Sequence, residues 1–212
     1  MNRIKRAAIL CDLINRMRAA GSWAGETHIQ KAVFLLQDLL EVPTEYPFIL
    51  YKHGPYSFDL CDDLTSFCAD GMLDLQIQAP PYGPRYAATA LGDKVREEYP
   101  ETLAKHKCAL QRAADAIGDK TVGEVERLAT ALYVTKRAKD RHDESVQSRA
   151  EHLNRLKPHV SVEVAVKAVE EIDALIDELG TGTNSARDTM PRDRSAIEAH
   201  CPIKAMRPTE EG

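Results

Sequence analysis

Signatures of catalytic and metal chemistry are what this chain lacks. It has no C-x-x-C pair, no H-x-x-x-H or H-E-x-x-H spacing, no phosphate loop, no dinucleotide glycine motif and no G-x-S-x-G elbow. Zinc centres, nucleotide-fold enzymes and hydrolases of the α/β type are therefore without their usual sequence support. The five cysteines (Cys11, Cys61, Cys68, Cys108 and Cys201) are odd in number and widely spaced. That excludes a disulfide framework and reads as small buried thiols in a reducing cytoplasm. The seven histidines are scattered, and no metal or cofactor is expected. No apolar run approaches the roughly 18 residues of a membrane span. The basic start MNRIKR has no continuous apolar stretch behind it, because Asp12, Asn15, Arg16 and Arg18 interrupt it. A secretory leader is not expected.

What is present is an ordinary globular composition, 43% hydrophobic and 29% charged over 212 residues, enough for one domain with an appendage. The net charge of −5 opposes general affinity for nucleic acid, although local patches count for more.

Along the chain, residues 3–20 show the spacing of an amphipathic helix (Ile4, Ala7, Ala8, Cys11, Ile14, Met17) that Gly21 ends. Thr27 and Gln30 have the spacing of a capping box. They open a second helix with Ile29, Ala32, Val33, Leu36, Leu39 and Leu40 on one face and Pro43 beyond it. Phe48 to Tyr51 reads as a short strand, broken at Gly54-Pro55. Pro55 suits the first turn of a third helix, capped by Ser57 or Gly54, with Leu60, Leu64, Phe67 and Cys68 facing inward. Leu73, Leu75 and Ile77 alternate with polar residues as a half-buried strand. A Pro80–Pro84 turn returns it through Arg85–Ala88, and Thr89 caps a helix running to Tyr99. Helix, helix, strand, helix and hairpin in that order is the pattern of a winged helix-turn-helix unit. Residues 1–100 are assigned to it. The fold class is mainly α with a small β wing. Residues 101–180 form a helical extension or bundle, with a second capping box at Thr121–Glu124 and a final helix capped by Ser161 and closed by Gly180. Residues 181–212 read as a disordered tail.

One stretch is more specific. Ile29-Gln30-Lys31-Ala32-Val33-Phe34-Leu35-Leu36-Gln37, then Phe48…Tyr51-Lys52-His53-Gly54-Pro55-Tyr56-Ser57, then Gly71-Met72-Leu73 and Tyr86…Thr89…Gly92 resemble the YwgA-like proteins. They are similar, more distantly, to the Panacea antitoxin (SocA-like) domain. The resemblance spans about residues 5–100. His53 stands where that pattern usually has an aromatic, and Ala88 where it has a larger aliphatic. The resemblance implies direct binding of a partner protein, a toxin or a proteolysis target, and transfers no catalytic residue.

Three functions compete. The first is a non-catalytic, antitoxin-like or adaptor-like module that binds a partner through Tyr51, His53, Tyr56, Asp59, Asp62 and Asp63. Its support is the acidic third helix: a DNA-reading helix needs cations for the phosphates, and between Tyr56 and Asp74 there are aspartates and no lysine or arginine. The plain alternative for those aspartates is a solvated helix face, and for the corner residues a structural turn. The second function is a DNA-binding regulator using other surfaces: Arg3, Lys5 and Arg6 on the first helix, Arg85 in the wing, and Lys136, Arg137, Lys139 and Arg141. The third, least supported, is an enzyme built on the neighbours His53, Ser57 and Asp59, where proximity in sequence is poor evidence of a triad. A cytoplasmic protein that binds another protein is the expectation, with DNA less favoured, self-association open and no membrane partner.

Overall fold

The computed structural model describes residues 1–79, 82–139 and 145–187. Helices dominate: α1 (Arg3–Ala19), α2 (Glu26–Asp38), α3 (Phe58–Ala69), α4 (Ala90–Glu98), α5 (Pro100–Ile117), α6 (Val122–Lys139), α7 (Val146–Leu156) and α8 (Val162–Arg187). Two antiparallel hairpins complete it. β1 (Ile49–Tyr51) pairs with β2 (Gly54–Tyr56), and β3 (Leu73–Gln76) pairs with β4 (Arg85–Ala88). Met1–Asp177 forms one compact unit; a second, Glu178–Gly212, contributes the last turns of α8.

The organising element is α2. Nine consecutive residues, His28 to Leu36, are buried, which is the mark of a helix covered on all sides. Ile29, Val33 and Leu36 pack with α1, α3, α4 and α5 around Leu10, Leu13, Leu64 and Phe67. Phe34 and Leu35 pack with Leu128, Leu132, Leu153, Val169 and Ile172 of α6, α7 and α8. The helices after residue 100 thus share the burial of α2 with those before it.

Several local expectations fail for identifiable reasons. The Thr27–Gln30 box is not formed: α2 begins at Glu26 with Gly25 as its cap and no side-chain cap bond. Gln30 is buried and spans to the corner instead, accepting the Ser57 N–H on Oε1 and donating Nε2 to the Ser57 carbonyl, both at 2.9 Å. Pro55 is a strand residue, opposite Leu50 in the β1–β2 ladder, rather than the first turn of α3. A proline fits there because it faces no inter-strand N–H···O bond. Ser57, not Gly54, caps α3, its Oγ accepting the Leu60 N–H at 3.3 Å. In β3 only Leu73 is buried; Leu75 is exposed, as is Ile77 beyond the end of the strand. The thiols are not uniformly buried: Cys11 is, Cys61 and Cys68 are half-buried, and Cys108 is exposed. α8 continues past Gly180 to Arg187. The rest of the expected tail, with Cys201, lies outside the described residues.

Other caps follow the sequence. Thr89 accepts the N–H groups of Leu91 and Gly92, both at 3.1 Å. Thr121 and Glu124 form their reciprocal box, Glu124 accepting the Thr121 N–H at 2.8 Å. Among the described residues no helix is long and apolar enough to cross a membrane.

Candidate functional site

The two-residue turn Lys52–His53 closes the β1–β2 hairpin, and Ser57 then starts α3 without a linker. This short path brings Tyr51, Tyr56 and Phe58 together. Their ring centroids lie 5.8 Å (Tyr51–Tyr56), 5.6 Å (Tyr51–Phe58) and 5.1 Å (Tyr56–Phe58) apart. Such separations are those of favourable tilted and edge-to-face pairs. Tyr51 is nevertheless 54% exposed, Phe58 52% and Ile49, the register partner of Tyr56, 49%. Packed aromatics left in water over three neighbouring elements are the least expected feature of this surface.

Tyr56 is the anchored ring. Its hydroxyl donates to Glu26 Oε1 at 2.8 Å. Desolvation, with the Cys61 and Glu26 side chains beside it, holds the phenol well above its ordinary pKa, so it remains a donor. His53 turns from the aromatics toward α6, its Nδ1 3.0 Å from Glu126.

The acidic face divides. Asp63 is committed to α1 and the α2–β1 loop, accepting from Arg6 Nε at 3.0 Å and from the Tyr46 hydroxyl at 2.8 Å. Asp70 accepts from Arg3 at 2.5 Å. Asp59 and Asp62 are exposed and make no ion pair among the described residues. Two of the residues read as cationic DNA contacts, Arg3 and Arg6, therefore neutralise the very helix read as acidic. Arg6 also lies over the Tyr46 ring and Arg3 over Phe67.

The remaining cations do not converge. Lys5 makes no ion pair among the described residues. Arg85 lies 5.6 Å from the Trp23 ring centroid and donates to Gln76 at 3.2 Å. Lys136 pairs with Asp38, and Arg137 lies 4.4 Å over Tyr133. The side chain of Lys139 and all of Arg141 lie outside the described residues. His53, Ser57 and Asp59 share no hydrogen bond: Ser57 is buried under its capping bond and His53 faces Glu126. Among the described residues no group of three histidine, cysteine or acidic side chains is placed to hold a metal.

Beneath the corner sits Lys31, 1% exposed. Its pKa is pushed from 10.5 down to about 8, chiefly by desolvation, with Lys157 adding to the effect and Glu126 and Glu26 opposing it. Lys157 donates to the Lys52 carbonyl at 2.6 Å and so fixes the hairpin turn from below.

A second surface feature lies on the far side of Glu26. A cleft of about 630 Å³ is bounded by the first turn of α2, the aromatic residues Trp23 and Tyr82, and the α5–α6 turn. Trp23 and Tyr82 stack at 4.9 Å with 29° between their planes. Trp23 is held by its Nε1–H on the Gly83 carbonyl at 3.2 Å. The Ala24 carbonyl accepts the Tyr86 N–H at 2.9 Å, joining this loop to β4.

Phe58, Trp23 and His28 are missing from the site residues read out of the sequence. The signal for Phe58 is its spacing: it lies two residues before Leu60 and thus on the side of α3 opposite the buried row. Trp23 and His28 find their hydrogen-bond partners 60 and 92 positions away. Compared with known proteins, this chain matches no protein-family model, no curated protein and no solved structure.

Proposed function

We propose that the protein is a non-catalytic protein-interaction module, antitoxin-like or adaptor-like, that grips a partner protein with the hairpin corner and the start of α3. The observation that carries this reading is the mutually packed trio Tyr51, Tyr56 and Phe58, in which Tyr51 and Phe58 are open to solvent and Tyr56 is half-buried. Aromatic side chains already ordered before binding lose little rotamer freedom on contact, and such residues dominate interface hot spots. Asp59 and Asp62 border the rings and favour a partner with basic residues at the rim. The element order through β4 is read as a winged helix-turn-helix unit of YwgA-like type, resembling more distantly the Panacea domain, and the setting as cytoplasmic.

A DNA-binding regulator fits the charges less well. Arg3 and Arg6 are already paired with Asp70 and Asp63. A helix edged by Asp59 and Asp62 would be repelled from a phosphate backbone.

The test is retention of the native partner by the tagged full chain, expressed at its own level, against the double variant Tyr51→Ser with Phe58→Ser. Both side chains are exposed, so the variant keeps its fold by circular dichroism and loses the partner. Undiminished retention by the folded double variant sinks the proposal. So does sequence-selective DNA retention at about 50 mM salt that needs Arg85 or Lys136.

A further inference from the structure

We infer that the outer edge of β1 takes up an extended segment of the partner as an added strand, one that alternates apolar and polar residues and carries lysine or arginine at its ends. This rests on the interaction-module reading for the choice of surface, and adds how the partner is held there.

The first observation is an open pair of backbone groups. In the β1–β2 ladder Tyr51 faces Gly54, Leu50 faces Pro55 and Ile49 faces Tyr56. Opposed residues of antiparallel strands alternate between pairs that exchange both N–H···O bonds and pairs that exchange neither. Proline has no N–H to give, so Leu50 and Pro55 form a pair of the second kind. The Leu50 N–H and carbonyl therefore point away from β2, and among the described residues neither meets a hydrogen-bonding partner. The other side of the hairpin is closed. β2 is backed by α2 and α6, whereas β1 meets chiefly β2. Gly54 and Pro55 are buried, and a Cβ at Gly54 would lie 3.0 Å from Thr130 Oγ1 of α6. A donor and an acceptor side by side on an open edge are the template for strand addition.

The second observation is what flanks them. Side chains alternate along a strand, so exposed Ile49 and Tyr51 share the face of Tyr56, against which Phe58 packs. In an antiparallel added strand, the residue opposite Leu50 takes both backbone bonds, and its two neighbours lie beside Ile49 and Tyr51. Apolar β-branched neighbours suit that face. Edge strands are commonly guarded by lysine, proline or a bulge. Ile49–Tyr51 contains neither residue, and its register with β2 is unbroken.

The third observation is charge. Asp59 and Asp62 are exposed on α3, and Asp62 lies one turn on from Phe58. They favour cations at the ends of the incoming strand. A second copy of this chain would offer Ile49–Tyr51, a strand without a cation for them. So short an edge presents the outward groups of a single residue, and the rings and aspartates must supply the selectivity.

The probe is acetyl-Lys-Thr-Val-Thr-Val-Thr-Lys-amide, whose valines and lysines share one face when extended. It is titrated into the isotope-labelled full chain and followed by amide NMR. The expected result is a saturable shift centred on Leu50, with a dissociation constant of about 1 mM or tighter. Amide exchange at Leu50 should slow about fivefold or more at saturation. N-methylation of the threonines puts methyl groups on the edge that faces Leu50, and should weaken binding at least about tenfold. N-methylation of the valines alters the far edge, and should weaken binding by less than about threefold. Glutamate in place of both lysines should weaken it about fivefold or more. Equal loss from the two N-methylations overturns the inference, as does a peptide that leaves the Leu50 resonance unmoved. A Leu50 amide already protected in the free chain, with sedimentation as a dimer, would also overturn it by giving the edge to a second copy. If Tyr51→Ser with Phe58→Ser releases the partner while the peptide leaves Leu50 unmoved, the interaction reading stands and strand addition fails. If the folded ring variant keeps the partner, the interaction reading fails and this inference with it.

Discussion

The hydroxyl of Tyr56 and the carboxylate of Glu26 meet at 2.8 Å, and through that bond the aromatic corner and the cleft become neighbours. Tyr56 stands at the end of β2 and Glu26 in the first turn of α2, thirty residues earlier. Glu26 is doubly suited to its place, since a carboxylate in the first turn of a helix also meets the positive end of the dipole. Tyr56→Phe removes one hydrogen bond to a half-buried charge and keeps all three rings. It should cost about 1 kcal/mol in urea denaturation and leave partner retention unchanged. Tyr56→Ala should cost more and abolish retention.

Gln30→Leu tests the clamp beneath the corner. Both polar atoms of the Gln30 side chain are used on the backbone of one residue, Ser57. The substitution strands a buried N–H and a buried carbonyl, at about 1–3 kcal/mol for each group. A loss of about 2–4 kcal/mol in chemical denaturation is expected, together with faster amide exchange at Ser57. A loss below about 0.5 kcal/mol would mean that water replaces the amide.

Lys31 predicts a pH dependence with a defined sign. A lysine pKa pushed from 10.5 in the unfolded chain to about 8 in the folded one corresponds to about 3 kcal/mol against holding the charge inside. Between those two values the unfolded chain still binds the proton that the folded chain has released. Stability from this group therefore rises with pH from about 8 to 10.5 and is flat below about 8. Lys31→Met should raise stability at pH 7 by about 1–3 kcal/mol and remove that rise, as read from urea midpoints at pH 7, 8.5 and 10. A variant that is less stable at pH 7 would show that Glu126 stabilises the ammonium beyond its desolvation cost.

Gly92→Ala should be among the most damaging single substitutions. A Cβ at Gly92 would lie 2.3 Å from the Met72 carbonyl oxygen and 3.1 Å from Cys11 Sγ. The obstacle is backbone that Thr89 also binds, through its N–H at 3.1 Å, so Met72, just before β3, cannot withdraw without losing that hydrogen bond. A loss of about 3 kcal/mol or more in thermal or urea denaturation is expected.

How far the sequence speaks for this molecule depends on whether a signal is completed locally. Ser57, Thr89 and Thr121 cap helices where their spacing says they should, because each partner N–H lies two or three residues away. Thr27 and Gln30 carry an equally good box and do not form it, because Gln30 has a better use across the fold on Ser57. The Gly54-Pro55 pair signals a break in either reading. Whether the chain then enters a helix or a strand is decided by the pairing of Leu50 with Pro55. Charges were legible as a list and not as a pattern: Arg6 and Asp63 look like parts of rival surfaces until the packing of α1 on α3 joins them at 3.0 Å. The cleft draws on Trp23, His28, Tyr82 and Asp119, and no local periodicity connects those four.

The central claim is that the exposed rings at the corner are a partner's footing, and site-specific photocrosslinking in cells addresses it most directly. A photoreactive phenylalanine analogue placed at Phe58, and in a control chain at exposed Glu97 on α4, is irradiated with the full chain at its native level. The account predicts one discrete heavier adduct from position 58, identified by mass spectrometry as a second protein, and none from position 97. Adducts of equal yield from both positions, or no adduct from position 58 in cells where the chain is folded, would contradict it.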